Sequence, residues 1–334
     1  METPPYTLTE QSVNLIAEIS AQIERYAIRL EQEDGLHLRK VNRIKTIHSS
    51  LAIEGNRLTE GQVADIINGK NVVAPLKDIQ EVKNALKTYE LYPSLNPFKE
   101  KDLLIAHQTM MTALVDYPGR YRSGGVGVYS EKGLVHMAPP AAMVPTLMAN
   151  LFEWLKKSKA HLLVRSCVFH YEFEFIHPFI DGNGRIGRLW QSLILGKLHP
   201  LFQYLPVENM VHANQEGYYK AIADSSAAGQ SGPFIEFMLG EILKTLKSHQ
   251  GAEHVVKNDV LNVVENGVKP DAKERELLAY LKEEPDLSAR LAAGLLGVSP
   301  RQAQRVFASL REKGLIKRTG GKKKGYWEII LKQS

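Results

Sequence analysis

A glycine-rich stretch near the middle of the chain limits the folds that this sequence can adopt. In IHPFIDGNGRIGRLW, Gly182, Gly184 and Gly187 have the G-x-G-x-x-G spacing of a dinucleotide-binding turn. Such a turn needs a strand before the glycines, a helix after them and an acidic residue about twenty positions on. A helix is predicted after the glycines, since apolar residues recur at helical steps, and Glu208 lies near the required distance.

The segment before the glycines decides between two fold classes. VFHYEFEF alternates as a strand does, but Val168, Tyr171 and Phe175 also fit one face of a helix. The first 115 residues have apolar side chains at three- and four-residue steps, which predicts helices rather than βαβ units. The sequence therefore favours a mainly α fold over a nicotinamide-binding sheet.

One segment interrupts the helical pattern. Between residues 120 and 140, Val126, Val128 and Leu134 flank the turn-forming letters SEKG, which predicts a short β-hairpin. Helical patterns then resume and continue to about residue 249. We therefore predict an N-terminal helical region over residues 1–115 and a core over residues 116–250 that carries the hairpin and the glycines.

The remaining residues have a different pattern. A polar stretch over residues 251–272 predicts a linker. Three helical patterns follow; Ser288 and Ser299 are predicted N-caps, and Pro300 occupies a first helical position. Two β-like runs, LIKRT and YWEII, come last. This order resembles the winged-helix family, which implies a small α+β domain over residues 273–334.

Positive charge is concentrated in this C-terminal region. The net charge is +5, and from Ser299 onward ten Lys and Arg residues stand against two acidic residues. In winged-helix proteins the second helix of the pair can enter the major groove of DNA. The resemblance therefore implies base contacts from Arg301 and Arg305, and phosphate contacts from Lys322, Lys323 and Lys324. The alternative is a module that binds protein or forms a homodimer.

The composition predicts the cellular setting. There is no basic segment followed by an apolar block at the N-terminus, and no run of eighteen apolar residues, so neither secretion nor a membrane span is expected. The single cysteine, Cys167, lies in an apolar run and is expected to be a small buried hydrophobe. A cytoplasmic location fits both observations.

The polar residues among the glycines indicate phosphate chemistry. Where a glycine-rich loop leads into a helix, the first main-chain N–H groups of the helix are unpaired and point at one spot. The positive end of the helix dipole lies at the same spot, which makes it a phosphate-binding site. Arg185 and Arg188 lie on the first turn of that helix, where cations oppose the dipole unless a multiply charged anion joins them. No G-K-[ST] follows, so a P-loop is excluded.

Two further side chains add reactivity to this cradle. Asp181 would repel a phosphate unless a cation intervened, and Mg²⁺ is the natural bridge. His177, with an ordinary pKa of about 6.5, can take a proton from an attacking hydroxyl. The combination predicts a transferase site for a triphosphate rather than a passive binding loop.

The segment HPFIDGNGRIGR, from His177 to Arg188, resembles the Fic family motif H-x-F-x-[DE]-G-N-G-R-x-x-R and matches every specified position. The resemblance implies a mainly helical Fic fold with a β-hairpin flap. Fic enzymes typically transfer AMP from ATP to a hydroxyl of a target protein and release pyrophosphate.

The resemblance also implies roles for individual residues. His177 would be the general base, Asp181 would hold Mg²⁺ between the α- and β-phosphates, and Arg188 would bind the γ-phosphate. Phe179 would anchor the loop in the core. The anion cradle would consist of Gly182, Asn183, Gly184 and Arg185. The segment NQEGYYKAI resembles the part that encloses the adenine, which implies contacts from Asn214, Tyr218 and Tyr219.

The hairpin has an implied role in target binding. In the family a flap pairs with an extended stretch of the target through main-chain bonds. Here that implies Val126, Gly127, Val128 and His136. The target would be another protein or the chain itself, modified on Ser, Thr or Tyr.

A short motif upstream implies regulation. Ser50-x-x-x-Glu54-Gly55 matches the [ST]-x-x-x-E-[GN] inhibitory motif of the family. Ser50 and Glu54 share a helix face, and a helix over about residues 40–55 should end near Gly55. An acidic group in a last turn is disfavoured unless a cation compensates, and Arg188 is the expected cation. Glu54 would then displace the γ-phosphate and hold ATP in a non-productive pose.

Other functions remain open at this stage. The chain could be a transcriptional regulator whose Fic domain senses nucleotide. Within the enzyme class, some relatives use other nucleotide donors or phosphocholine, and some inhibited enzymes also remove AMP, with the inhibitory glutamate positioning a water.

Overall fold

A computed structural model describes residues 3–30, 35–130, 133–203, 205, 207–247, 270–283, 285, 287–296, 298–319 and 326–330. The chain divides into two compact units. The first comprises residues 1–32 and 42–246, and the second comprises residues 33–41 and 247–334.

Helices dominate the chain up to residue 247. Their bounds are α1 Glu10–Leu30, α2 Gly35–Ile53, α3 Glu60–Ile67, α4 Leu76–Glu90, α5 Glu100–Met111, α6 Val144–Lys157, α7 Leu162–Ile176, α8 Asn183–Leu198, α9 Val207–Ala213, α10 Gln215–Ala228 and α11, residues 232–247. None of the helices in the part of the chain that the structure describes is both long and apolar enough to cross a membrane.

The pair α7 and α8 forms the centre of the first unit. Both helices are buried on almost every side, as expected for helices that are apolar all round, and they pack against each other. Trp190 is fully buried and donates from Nε1 to the Pro97 carbonyl at 3.0 Å. The segment VFHYEFEF is therefore helical, and the strand that a dinucleotide turn requires is absent from this position. Cys167 is buried in the same core, as predicted.

The predicted hairpin is present. Strands β1, Gly127–Ser130, and β2, Gly133–Met137, pair antiparallel, and the register shifts between Val128 and Tyr129. Gly127 is opposite Met137, and Val128 is opposite His136. The first unit is thus a mainly helical fold with one small β-hairpin.

Helix α2 ends in a Schellman arrangement. The Asn56 N–H donates to the Leu51 carbonyl at 3.1 Å and the Gly55 N–H donates to the Ala52 carbonyl at 3.0 Å. Gly55 has φ +86°, the left-handed conformation that this motif needs. Glu54 therefore follows the last helical residue instead of lying within the last turn, because the chain already turns at Gly55.

In the described residues of the second unit from residue 270 onward, there are three helices and one strand pair. These are α12 Ala272–Glu283, α13 Ala289–Leu295, α14 Pro300–Glu312, β3 Ile316–Thr319 and β4 Tyr326–Ile329. The predicted N-caps are confirmed: Ser288 accepts from the Leu291 N–H, and Ser299 forms a capping box with Gln302 ahead of Pro300. Strands β3 and β4 are antiparallel, and Phe307 packs on Trp327 in a separate apolar core.

Candidate active site

The loop between α7 and α8 carries the sequence motif and is stabilised by hydrogen bonds between the Asn183 side chain and the main chain of Phe179. Asn183 Oδ1 accepts from the Phe179 N–H, and Asn183 Nδ2 donates to the Phe179 carbonyl, each at 2.9 Å. Phe179 is fully buried and stacks on His107 with ring centroids 3.6 Å apart. The Asn183 side chain therefore holds the loop, and its main-chain N–H belongs to the unpaired first turn of α8.

Two glycines let other groups approach the start of α8. Gly182 has φ +84°, and a Cβ there would lie 2.7 Å from Met111 Sδ. A Cβ on Gly184 would lie 2.6 Å from Glu54 Oε1. The Glu54 carboxylate thus occupies the N-terminal end of α8, where the helix dipole favours an anion.

Arg188 joins α8 to the end of α2. Its Nη2 donates to Glu54 Oε1 at 2.7 Å and to the Ser50 carbonyl at 3.1 Å. The Arg188 side chain is 1% exposed and that of Glu54 is 26% exposed. Burial has the largest single effect on the pKa of Arg188 and lowers it, but the charge and hydrogen bond of Glu54, together with Tyr218 and Glu174, raise that pKa above its ordinary value. Arg188 Nε is buried without a hydrogen-bond partner among the described residues.

Arg185 lies between two carboxylates. Its Nη2 donates to Asp181 Oδ1 at 3.0 Å, and its Nη1 is 3.6 Å from Glu81 Oε1. Arg185 Nε and Nη1 are buried without hydrogen-bond partners in the described part of the chain. An anion at the start of α8 would supply what these nitrogen atoms lack.

His177 lies at the C-terminal end of α7 in a left-handed backbone conformation with φ +49°. The main chain around it is held by Arg122, which sequence reasoning missed. Arg122 Nε donates to the His177 carbonyl at 2.8 Å, and Nη2 donates to the Ile176 and Pro139 carbonyls. A guanidinium at a helix C-terminus also complements the helix dipole. No sequence motif marks Arg122.

His107 is a second residue that sequence reasoning missed. Its Nδ1 accepts from the Gly119 N–H at 2.8 Å, so that Nε2 carries the proton and donates to the Asp181 carbonyl at 3.0 Å. Burial lowers the pKa of His107 to about 4, which keeps the ring neutral. His107 therefore fixes the main chain beneath Asp181.

The residues predicted around the adenine have mixed positions. Asn214 caps α10 by accepting from the Gly217 N–H and donates to Glu241 Oε1 at 3.0 Å. Tyr218 is buried, with its hydroxyl 3.0 Å from His170 Nε2. Tyr219 is half-buried; burial and the charge of Glu54 raise its pKa. Only Tyr219 of the three lies near Glu54 with an accessible side chain.

The position of Glu208 argues against a nicotinamide site. Its Oε1 accepts from the Tyr89 hydroxyl at 2.6 Å, its Oε2 accepts from Ser192, and burial raises its pKa. The carboxyl group is thus part of the core and is not available to a ribose.

The remaining predicted residues lie on the hairpin and in the second unit. Val126 accepts at its carbonyl from the Ala138 N–H at 3.2 Å, and Gly127 begins β1. The side-chain positions of Val128 and His136 lie outside the description. Arg301 and Arg305 are exposed on the first turns of α14. Lys322, Lys323 and Lys324 fall outside the described residues.

Asp181 is the residue that the sequence predicts for a metal ion. Its side chain is 47% exposed, and its Oδ1 accepts from the Gly182 N–H at 2.5 Å and from Arg185. Among the described residues, no group of three or more His, Cys, Asp or Glu side chains could hold a metal by itself. One exposed carboxylate beside a phosphate cradle fits Mg²⁺, which protein sites bind through one or two carboxylates and substrate phosphates.

Comparison with known proteins identifies the family. The model of the Fic/DOC family matches residues 97–195. The crystal structure of a Fic family protein from Desulfovibrio desulfuricans G20 is 42% identical, with a TM-score of 0.72 and full coverage of both chains. This chain belongs to the Fic/DOC family. Its first unit is accordingly a mainly helical Fic fold with one small β-hairpin.

More distant relatives are protein adenylyltransferases. A probable protein adenylyltransferase of Aquifex aeolicus (strain VF5) is 24% identical over 80% of this chain and 77% of its own length. The protein adenylyltransferase Fic of Drosophila mojavensis is 26% identical over 60% of this chain, but over only 40% of its own length. Fic-1 (aa134–508) of Caenorhabditis elegans shares the fold, with 19% identity, a TM-score of 0.57 and 73% coverage of each chain.

Proposed function

We propose that this protein is an autoinhibited protein AMP-transferase that moves AMP from ATP to a hydroxyl of a target protein. One observation carries the proposal: the Glu54 carboxylate lies at the start of α8, 2.7 Å from Arg188 Nη2. An anion thus occupies the place where a phosphate would bind. The names of the distant relatives favour AMP as the transferred group.

The phosphates would bind at the start of α8. Arg188 would hold the γ-phosphate once Glu54 leaves. Arg185 and the main-chain N–H groups of residues 182–185 would hold the inner phosphates. The buried Arg185 and Arg188 nitrogen atoms without partners support this assignment. Asp181 would bind Mg²⁺, which when bound neutralises phosphate charge in the transition state.

His177 would act as the general base. Its imidazole takes the proton of a target Ser, Thr or Tyr hydroxyl while that oxygen forms a bond to the α-phosphorus. The bond from the α-phosphorus to the bridging oxygen breaks in line, and pyrophosphate leaves. Most of the acceleration would come from positioning and charge neutralisation.

The remaining parts of the site would bind the target and the nucleoside. An edge of the β1–β2 hairpin, at Val126 to Val128 or near His136, would add a strand of the target and align its hydroxyl. Tyr219 is the residue of the adenine segment that we retain as a base contact. Asn214 and Tyr218 would support the nucleoside site without contacting the base, because their side chains are hydrogen-bonded within the protein.

Autoinhibition would follow from the Glu54–Arg188 ion pair. While Glu54 holds Arg188, the γ-phosphate has no cation and ATP cannot align its α-phosphorus. Movement of the end of α2, or loss of the carboxylate, would free Arg188.

The test uses α-labelled ATP with Mg²⁺. We expect weak labelling of the protein or of a lysate target by the wild type, strong labelling by Glu54→Gly and Glu54→Gln, and weak labelling by Glu54→Asp, which keeps the charge. His177→Ala in the Glu54→Gly protein should abolish the label. Label that survives His177→Ala, or no label in Glu54→Gly, would contradict the proposal. Intact-mass measurement of the product identifies the donor, because AMP, other nucleotides and phosphocholine add different masses.

A second candidate function is DNA binding by a winged-helix module in the second unit. Exposed Arg301 and Arg305, one turn apart on α14, favour it. The three helices followed by an antiparallel strand pair support the winged-helix assignment. Anisotropy titrations with genomic fragments should show saturable, salt-sensitive binding that Arg301→Glu with Arg305→Glu weakens. Arg311→Glu, in the last turn of the same helix, is the matched control, and equal loss in both would reject the assignment.

A further inference from the structure

Glu174 is a buried acid that the proposed function does not use. It lies on α7, three residues before His177 and four after His170, so that all three share one helix face. The carboxyl group is 9% exposed, and its Oε1 has no hydrogen-bond partner within the described residues. A buried, unsatisfied carboxyl oxygen is costly, so its presence here calls for a functional explanation.

The carboxyl group lies beside the imidazole of His177. Glu174 Oε2 is 3.8 Å from His177 Nδ1, and the Glu174 carbonyl oxygen is 3.4 Å from the same nitrogen. The Glu174 carbonyl oxygen is thus within hydrogen-bond distance of Nδ1, and the carboxyl group lies just beyond it, close enough for an electrostatic interaction. This arrangement favours a proton on Nδ1 and leaves Nε2 to act as the base.

Gly187 makes room for this carboxyl group. A Cβ at Gly187 would lie 2.6 Å from Glu174 Oε1 and 3.2 Å from His170 Cδ2. The family motif does not specify position 187, yet this glycine completes the G-x-G-x-x-G spacing in the sequence. Its physical role here is close packing of α8 on the Glu174 side chain.

We propose that Glu174 is a positioning residue for His177. It holds the ring with Nδ1 protonated, and its carboxyl group, once ionised, stabilises the imidazolium that forms when Nε2 takes the proton of the target hydroxyl. The inference rests on the proposed AMP transfer, in which His177 is the base. Glu174 would act on His177 as the aspartate acts on the histidine of a Ser-His-Asp triad, where the carboxylate orients the imidazole and stabilises its charged form. The two folds are unrelated.

The charge state of Glu174 depends on its neighbours. Burial raises its pKa to about 8, Arg188 lowers it, and Glu54 raises it. The titratable and charged groups that face it are His170, His177, Arg188, Glu54 and Tyr218. Removal of the Glu54 charge should therefore favour the ionised form of Glu174, and ionisation should increase as the pH rises.

The test adds Glu174→Gln to the Glu54→Gly protein and compares this double variant with its parent, Glu54→Gly. A Gln amide can donate to Nδ1 and so favours the wrong tautomer of His177. We expect kcat to fall roughly 10- to 100-fold, less than the whole contribution of a general base, with KM for ATP within about twofold. The acid limb of the pH profile should move to lower pH, because loss of the carboxylate makes His177 easier to deprotonate. Nitrogen-15 NMR should report a changed tautomer and titration of His177.

Three further variants keep the inference falsifiable. Glu172→Gln, two residues earlier and therefore on a different helix face, should leave kcat within about twofold. Glu174→Asp should recover part of the lost rate, because the carboxylate remains. Gly187→Ala should lower kcat by displacing the Glu174 carboxyl group.

Specific outcomes would overturn the inference. These are a kcat for Glu174→Gln within twofold of the parent, an equal loss in Glu172→Gln, or an unchanged His177 tautomer and titration in the folded Glu174→Gln protein. Failure of the proposed function is distinguishable from this, because Glu54→Gly would then transfer no AMP while the NMR of His177 would still test the contact.

Discussion

Several side chains around the site bind main-chain groups and thereby hold the backbone in place. Arg122 donates to four carbonyls, two of which belong to Ile176 and His177 at the end of α7. His107 binds the Asp181 carbonyl, and Asn183 binds Phe179 at both its N–H and its carbonyl. The left-handed backbone of His177 is strained for a residue other than glycine, and such strain persists only where the surroundings enforce it. We infer that Arg122 enforces it.

The first prediction concerns Arg122. Arg122→Ala should lower the free energy of unfolding by about 1.5–3 kcal/mol, because charged hydrogen bonds to buried carbonyls are lost. It should also lower kcat in the Glu54→Gly background, since the His177 carbonyl is released. Arg165→Ala is the control: Arg165 Nη1 also donates to a carbonyl, that of Leu155, but away from the site. Equal kcat losses in the two variants would contradict a specific role for Arg122.

The second prediction concerns acid stability. Burial lowers the pKa of His107 to about 4 and that of His170 to about 3. Both rings are therefore neutral when folded but bind a proton near pH 6.5 when unfolded. Their contribution to stability is present above about pH 6.5 and is lost as the pH falls toward those values, with a slope of up to about 1.4 kcal/mol per pH unit for each ring.

Urea unfolding between pH 7 and pH 5 measures this dependence. His107→Gln should flatten it, although the variant is less stable at pH 7. An identical slope in the variant and the wild type would show that His107 does not contribute.

At the scale of elements, the site depends on two helix termini. A loop over residues 177–182 joins the end of α7 to the start of α8, and the Schellman end of α2 brings Glu54 to the first turn of α8. The N-terminal end of one helix and the C-terminal end of another thus share one ion pair. Both ends need glycine, but for different reasons.

The third prediction compares those glycines. Gly55→Ala should lower the free energy of unfolding by about 1–2 kcal/mol, which is the strain of a left-handed residue other than glycine. No clash adds to this strain, because a Cβ at position 55 would meet nothing within 4 Å. Gly182→Ala should destabilise more, since it adds a clash with Met111 to the same strain. It should also abolish AMP transfer in the Glu54→Gly background by displacing the start of α8. Thermal melts measure the loss of stability in both variants, and labelling with ATP measures AMP transfer. Comparable activities of Gly55→Ala and Gly182→Ala would contradict the prediction.

At the scale of the whole molecule, stability and activity oppose each other. Arg188 is buried, and Glu54 is the carboxylate with which it forms an ion pair, so the state that we propose to be inhibited is also the state in which the Arg188 charge is compensated. In that proposal, removal of Glu54 would free the phosphate site but would leave a buried cation without that partner. ATP would restore a partner.

The fourth prediction follows from this linkage. Without nucleotide, Glu54→Gln should be less stable than the wild type by about 1–3 kcal/mol, the range for a buried group that loses its partner. With ATP and Mg²⁺ at about 100 times Kd, it should gain about 2.7 kcal/mol, whereas the wild type should gain less. Thermal shift assays with and without ATP measure both differences. Equal gains would mean that Glu54 does not compete with the γ-phosphate.

Local features of this protein follow from the sequence alone. The N-caps at Ser288 and Ser299, the hairpin and the buried Cys167 were all predictable, because each depends on neighbouring residues or on a periodic apolar pattern. The Phe179 anchor followed from the family resemblance instead. The Fic family was also predictable, since its motif is contiguous from His177 to Arg188. The assignment of AMP transfer and of each catalytic role stays a prediction until the experiments above are done.

Only the tertiary structure decided which distant groups meet. The family resemblance implied Arg188 as the cation for Glu54, and the structure brings the two side chains within 2.7 Å across 134 residues of chain. Nothing in the sequence indicated that Arg122 reaches the end of α7, or that Asn214 and Tyr218 are bound within the protein. No local pattern encodes these pairs, because they depend on how helices pack rather than on where each helix begins or ends. The sequence determined the chemistry available in the motif, and the packing of α2, α7 and α8 determined which charge occupies it.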